Sequence, residues 1–200
     1  QCVGSRNINN CDNFYCSSVC CMYTIKQAII AKEHSPSPLD CAIFYMDMRT
    51  HGKGFEECFN SARDIHGVRF ERARIHTVTK DTDGRLRITY PSEDGTLFSE
   101  TFDIVVLSVG MEITPDVLDL AGDLGIDLTP GRFAATASFR PVASSRDGVY
   151  VCGAFQGPKD IPQTVIEAGS AAMSAGSVIC GARNTLTKEP PTHEEKSIAG

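Results

Sequence analysis

A chain of 200 residues with 42% hydrophobic content has apolar material for one large domain or two small ones. Its formal net charge of −6, with no basic stripe, argues against nucleic acid as a partner, since phosphates would find nothing to neutralise them. No apolar run reaches the roughly 18 residues that span a bilayer, and the first residues lack the basic-then-apolar order of a signal peptide, so no membrane insertion and a cytoplasmic location are expected.

In chain order, Gln1 to Ser5 reads as the end of a buried strand, and Asn7 to Asn13 as a polar turn. Ser17 to Lys32 has the three- and four-residue spacing of a helix, stopped by the prolines at 36 and 38. Cys41 to Met46 is an unbroken apolar run, the pattern of a parallel strand covered on both faces. A turn from His51 to Gly54 leads to a second helix with Phe55, Cys58, Phe59, Ala62 and Ile65 on one stripe, closed by Gly67. Val68 to Thr79, Arg85 to Tyr90 and Leu97 to Phe102 read as short strands joined by Asp83-Gly84 and Asp94-Gly95 turns. Asp103 to Gly110 reads as another buried strand, Pro115 to about Leu124 as a helix, and Gly148 to Gly153 as a short buried strand. Pro162 to Cys180 is a helix rich in small residues, and a polar tail follows. Strands alternating with helices, interrupted by a meander, predict an α/β fold.

Nine cysteines are many for this length, and five fall in the first 21 residues: Cys2, Cys11, Cys16, Cys20 and Cys21. An adjacent pair is a poor disulfide framework, so the group reads as metal binding or redox chemistry. If the helix begins at Ser17, Cys16 and Cys20 stand one turn apart at its positive end, Cys21 lies about 100° further round, and Cys2 approaches from a strand end. All-thiolate ligation suits an iron–sulfur cluster or zinc; the absence of a second paired knuckle and the Cys-Cys pair favour the cluster, with free redox thiols as the remaining alternative. Cys41, Cys58, Cys152 and Cys180, scattered in apolar segments, read as small buried hydrophobes. His34, His51, His66 and His76 read as surface or turn residues, and Asp47 occupies the place of a ribose-binding acid in a scaffold that has cysteines where the nucleotide loop would be.

The segments QCVGSRN, YCSSVCCMYTIKQA, AIFYMDMRTHGKGFEE, FDIVVLSVGM and GVYVCGAFQGPKDIPQTVIEAGSAA, taken together and in order, resemble the A-type subunits of heterodisulfide reductase and their bacterial relatives. The resemblance covers nearly the whole chain to about residue 182. It implies a Rossmann-like scaffold of two dinucleotide-type domains, as in disulfide reductases, with a β-meander insertion. Residues 1–110 would form the nucleotide-type domain, 111–182 the C-terminal part of an FAD-type domain, and 183–200 a polar tail. It also implies a [4Fe–4S] cluster on Cys2, Cys16, Cys20 and Cys21. The loop between Cys2 and Cys16 is about one residue longer than the family pattern, which makes Cys11 an alternative ligand.

Neither the G-x-G-x-x-G fingerprint for FAD nor the ferredoxin-type cysteine runs of the full family members occur here, so the chain reads as a fragment whose FAD would depend on an upstream half. By the same resemblance Gly110, Gly153, Gln156, Gly157, Lys159, Asp160 and Ile161 would lie against the flavin, with backbone N–H groups of the following helix facing it. Against this, Lys159 alone would pass for a loop lysine in solvent and Gly110 for a strand-ending turn. The implied partners are other iron–sulfur subunits and the upstream FAD half. The implied role is relay of electrons between flavin and iron–sulfur centres; a cluster-bearing docking module that binds no flavin is the alternative. An NAD(P)H-dependent flavin oxidoreductase is disfavoured by the missing glycine-rich loops.

Overall fold

The computed structural model describes residues 1–6, 13–75, 77–92 and 94–183. Cys11, His76 and the tail beyond residue 183 lie outside the described residues.

The first helix, α1, runs Cys20–His34, followed by strand β1 (Ala42–Tyr45), helix α2 (Phe55–Asp64) and strand β2 (Arg69–Arg72). β1 and β2 pair in parallel, Ala42 opposite Arg69 through Tyr45 opposite Arg72, with α2 as the crossover. This β–α–β unit is the Rossmann-like element expected of the α/β class. Alternation along β1 explains its continuous apolar run. Ile43 packs with Ile25, Ala62 and Val68 under the helices, while Phe44 packs with Ile88 and Tyr90 on the other side.

That other side is the meander. Strands β3 (Val78–Lys80), β4 (Leu86–Pro91) and β5 (Leu97–Phe102) form an antiparallel sheet in the order β3-β4-β5. Gly84 and Gly95 both take positive φ, 89° and 86°, in the two expected Asp-Gly turns. Phe44 meets the rings of Tyr90 and Phe102 edge-on at 4.9 and 5.9 Å between centroids. Arg69 on β2 forks onto Glu100 of β5, with contacts of 3.0 and 2.5 Å, and joins the two sheets.

Two expected strands are not formed as ladders. Among the described residues, 103–110 make only one isolated parallel bridge, Val3 to Val109, and leave Ile104, Val106, Leu107 and Val109 more than half exposed. A parallel strand buried on both faces needs neighbours on both edges, and here the described neighbour is one residue deep. Residues 148–153 likewise form only the bridge Ala143 to Tyr150, although Val151 is buried with Ala121, Ile126 and Ala134.

Helix α3 (Pro115–Leu124) starts on proline and ends at Gly125 with φ 66°. Helix α4 runs Ile161–Arg183, and its N-terminal half rests on a short 3₁₀ turn at Gly153–Phe155. Cys41 and Cys58 pack partly buried against the Ile25 core, whereas Cys152 is half-buried and Cys180 exposed. Cys180 is therefore no core residue: its helix lacks a layer on that side among the described residues.

Candidate iron–sulfur site and its surroundings

α1 begins at Cys20, three residues later than the spacing suggests, so Cys16 lies ahead of the helix and not one turn along it. Ser18, with φ 64°, makes the turn that separates them. The Ser18 N–H donates to Cys16 Sγ at 3.4 Å and the Val19 N–H to the Ser17 carbonyl at 2.8 Å. The loop carrying Cys16 is anchored from behind. Ser5 and Ser17 share a buried hydroxyl hydrogen bond at 2.6 Å, the Met111 N–H donates to Ser17 Oγ at 2.8 Å, and Tyr15 donates to the Met111 carbonyl at 2.9 Å. A side chain at Gly110 would collide with the Ser5 and Ser17 hydroxyls. The close approach that makes this position glycine is thus a contact with the cysteine loop.

The first turn of α1 is fastened to the same segment: Thr24 bonds Ser108, Tyr23 donates to the Val109 carbonyl, and Ser108 donates to the Cys20 carbonyl at 3.3 Å. Cys2, with φ 59°, is held beside it by the Val3 N–H donating to the Ser108 carbonyl at 3.1 Å.

Cys2, Cys20 and Cys21 thereby form one buried cluster, walled by Tyr23, Met46 and Met48. The Cys2 thiol is pushed up by its hydrogen bond with Cys20 and then by burial. Cys20 is pulled down by Cys2, but its bond to Cys21, burial and the Cys21 charge leave it raised. Cys21 is lowered, first by the hydrogen bond from Cys20 and, against burial, by the Arg49 backbone N–H. Cys16 is half-buried and within electrostatic reach of Cys21 and Arg49. Among the described residues, no three His, Cys, Asp or Glu side chains are placed to hold a single metal ion.

The surroundings suit a buried anion. Among the described residues α1 has no side-chain cap, and its first turn carries no acidic residue, so its positive end faces the thiols. The Gln1 side-chain N–H₂ is buried with no hydrogen-bond partner among the described residues, while its carbonyl lies 3.5 Å from Cys21 Sγ. Arg6 and Arg49 both pair with Asp47, Arg49 at 3.0 Å. Arg6 also reaches Cys2, which together with Asp47 holds its guanidinium more firmly charged than usual. Local pattern puts Asp47 at a ribose position and carries no sign of this arginine clasp, because Arg6 lies 41 residues away in the chain.

The second set of expected residues, at the start of α4, is organised around Lys159. Its side chain is buried, and Nζ donates to both Glu167 carboxylate oxygens, at 2.7 and 2.6 Å, and to Gln156 Oε1. The solvent-loop alternative does not hold. Glu167, which no motif in the sequence singles out, also accepts the Gly153 N–H at 3.1 Å. Gln156 in turn donates to Thr136 at 3.2 Å. Gly153 has φ 68° and a side chain there would press on Thr164 at 3.0 Å. Asp160 turns its carboxylate onto the Gln163 N–H at 2.8 Å, so one of the helix N–H groups expected to face a flavin is taken by the chain itself. Gly157 has open space where a side chain would be, and Ile161 is 79% exposed. Elsewhere, a cleft of about 700 Å³ opens between the C-terminal ends of β1 and β2 and the meander, lined by Tyr45, Phe70, Tyr90 and Phe98. None of the described thiols borders it.

No protein-family profile matches the chain. Its relatives are nevertheless clear. It is 42% identical over 177 residues to the A-type subunit of the H2/formate:CoB-CoM heterodisulfide,ferredoxin reductase of Methanococcus maripaludis, covering 86% of this chain and 26% of that one. It is 37% identical over 206 residues to the second A-type iron-sulfur subunit of the CoB--CoM heterodisulfide reductase of Methanopyrus kandleri, covering 100% and 31%. It is 39% identical over 176 residues to the corresponding iron-sulfur subunit of Methanocaldococcus jannaschii, covering 86% and 26%. Among solved structures, the atypical thioredoxin reductase TRi of Desulfovibrio vulgaris Hildenborough aligns over 82% of this chain and 49% of its own, at 20% identity and a TM-score of 0.30. The chain spans about 26–31% of the length of these curated relatives. Over that portion it belongs to the family of heterodisulfide reductase A-type subunits.

Proposed function

We propose that the chain is the cluster-bearing part of an electron-transfer iron–sulfur flavoprotein, with Cys2, Cys16, Cys20 and Cys21 holding a [4Fe–4S] cluster. The observation that carries this reading is the burial of three thiols together at an uncapped helix N-terminus, with a fourth beside them and two arginines at the rim. A polynuclear cluster takes one thiolate per iron, so its ligands need not meet at the single point that one zinc ion demands. Two relatives are named iron-sulfur subunits, which supports the same group here. When bound, the cluster would supply one-electron transfer. The chain's own residues would seat it: the Ser5–Ser17–Met111 ties hold the Cys16 loop, Ser108 and Tyr23 hold the start of α1, and Met46 and Met48 exclude water.

FAD belongs to the proposal only in company with a segment that grips its phosphates, since the chain contains no G-x-G-x-x-G loop. Residues 1–110 would then be the nucleotide-type domain and 111–182 the remainder of the FAD-type domain, with Gly110, Gly153, Gln156, Gly157, Lys159, Asp160 and Ile161 facing the flavin. A buried lysine there would favour a reduced, anionic flavin. The exposed apolar residues of segment 103–110 and of α4, among them Ile161, Ile166 and Met173, are the faces such a segment or an iron–sulfur partner would cover. The same exposed faces favour the second reading, a cluster-bearing docking module that binds no flavin itself.

Iron and acid-labile sulfide analysis of anaerobically prepared protein, with its visible spectrum, tests the proposal. Iron and sulfide in equal amounts, with broad absorption that dithionite bleaches, are expected. A colourless protein carrying stoichiometric zinc would overturn it. Resolved flavin bands in the purified chain would favour the first reading over the docking module.

A further inference from the structure

Around the thiols stand three charged side chains that bind nothing inorganic in the proposed ligand set. Asp47 leaves the end of β1 and is gripped from both sides, by Arg6 and by Arg49 Nε at 3.0 Å. The same four-residue exit from β1 supplies the wall and the polar contacts of the site. Met46 and Met48 pack on the thiols, and the Asp47 carbonyl lies 4.0 Å from Cys21 Sγ. Arg6 comes from the turn after Cys2 with φ 56°, an uncommon conformation for arginine, and reaches both Asp47 and Cys2. Two cations against one carboxylate leave a net positive charge beside a group whose reduction adds a negative one. Were the acid merely a relic of a ribose site, it would not need two arginines.

We propose that Asp47, Arg6 and Arg49 are positioning residues that set the reduction potential of the cluster: the arginines raise it, and the aspartate aims them while holding part of that effect back. This rests on the cluster assignment above. The mechanism is electrostatic. A fixed cation near the centre stabilises the reduced form more than the oxidised form, and partial burial keeps solvent from screening it fully.

The test is a reductive titration of the anaerobic protein, followed by electron paramagnetic resonance and absorption, for wild type, Arg6→Gln, Arg49→Gln and Asp47→Asn. Each glutamine variant is expected to lower the potential by about a tenfold change in the reduction equilibrium, roughly 59 mV for one electron. Asp47→Asn is expected to move it the opposite way. A purely structural role would lower iron content in all three without opposite-signed shifts. Fully loaded variants that all titrate with wild type would overturn the inference while leaving the cluster standing; wild-type protein without iron would remove both. Should a glutamine variant fail to load, Arg6→Lys and Arg49→Lys decide. Lysine variants that load iron and titrate close to wild type support the inference, and lysine variants that load iron but titrate as far below wild type as loss of the charge would put them defeat it.

Discussion

The two halves of the molecule solve opposite problems. The cysteine site is tied together within the chain, although segment 103–110 beside it leaves apolar residues exposed: Cys2, Cys20 and Cys21 are buried, and the loop, the helix start and segment 108–111 are joined by side-chain hydrogen bonds. The Lys159 region is internally satisfied but externally open. Its lysine, glutamate and glutamine answer one another, while the helix that carries Glu167 leaves Ile161, Val165, Ile166 and Met173 between 65% and 80% exposed. A self-contained site keeps its polar groups turned inward. A site shared with another surface shows apolar side chains where that surface would lie.

The contrast is tested most directly at the thiols. Cys20→Ser combined with Cys21→Ser should abolish iron binding, read as loss of iron, sulfide and colour, and an unchanged iron content would remove the distinction between the halves. Next in size, Glu167→Ala should cost about 2–4 kcal/mol in denaturant unfolding, because it strands the Lys159 ammonium in a buried position. Adding Lys159→Met should recover much of that loss. If Glu167→Ala is neutral, the ion pair does not hold the 153–167 region together.

A smaller effect concerns the seam between β2 and the meander. The Arg69 guanidinium holds the Glu100 carboxyl below its ordinary value, against a smaller opposing push from burial. A depressed folded-state value means its stabilisation is complete above the ordinary glutamate range near about 4.3 and is lost as pH falls through the lower folded value. Glu100→Gln should therefore reduce stability at neutral pH and make progressively less difference in acid, measured by urea unfolding at a series of pH values. The smallest effect probes the open half. Val165→Ser with Ile166→Ser should change unfolding free energy by about 0.5 kcal/mol or less, since both side chains are exposed.

Much of the fold is legible in local pattern. The limits of α3 follow from Pro115 and Gly125, the meander from its two Asp-Gly turns, and β1 from an apolar run whose alternate residues feed two different cores. Pattern fails where pairing is required. Segments 103–110 and 148–153 have the composition of buried strands, yet a strand exists as a ladder only when a neighbour supplies the hydrogen bonds. The start of α1 departs from its periodicity because Ser18 takes a positive φ that serine rarely adopts, a choice made by the anchored cysteine loop and not by propensity.

Residue order alone was enough to specify the thiols that make metal chemistry expected, the α/β alternation and the turns, since each depends on side-chain chemistry or on neighbours a few positions away. Only long-range folding settled that Cys2, 18 residues before Cys20, joins it in one buried group. The same holds for Asp47 meeting Arg6, 41 residues away in the chain. Those contacts arise when distant segments are brought together, and no local periodicity encodes which partners will meet.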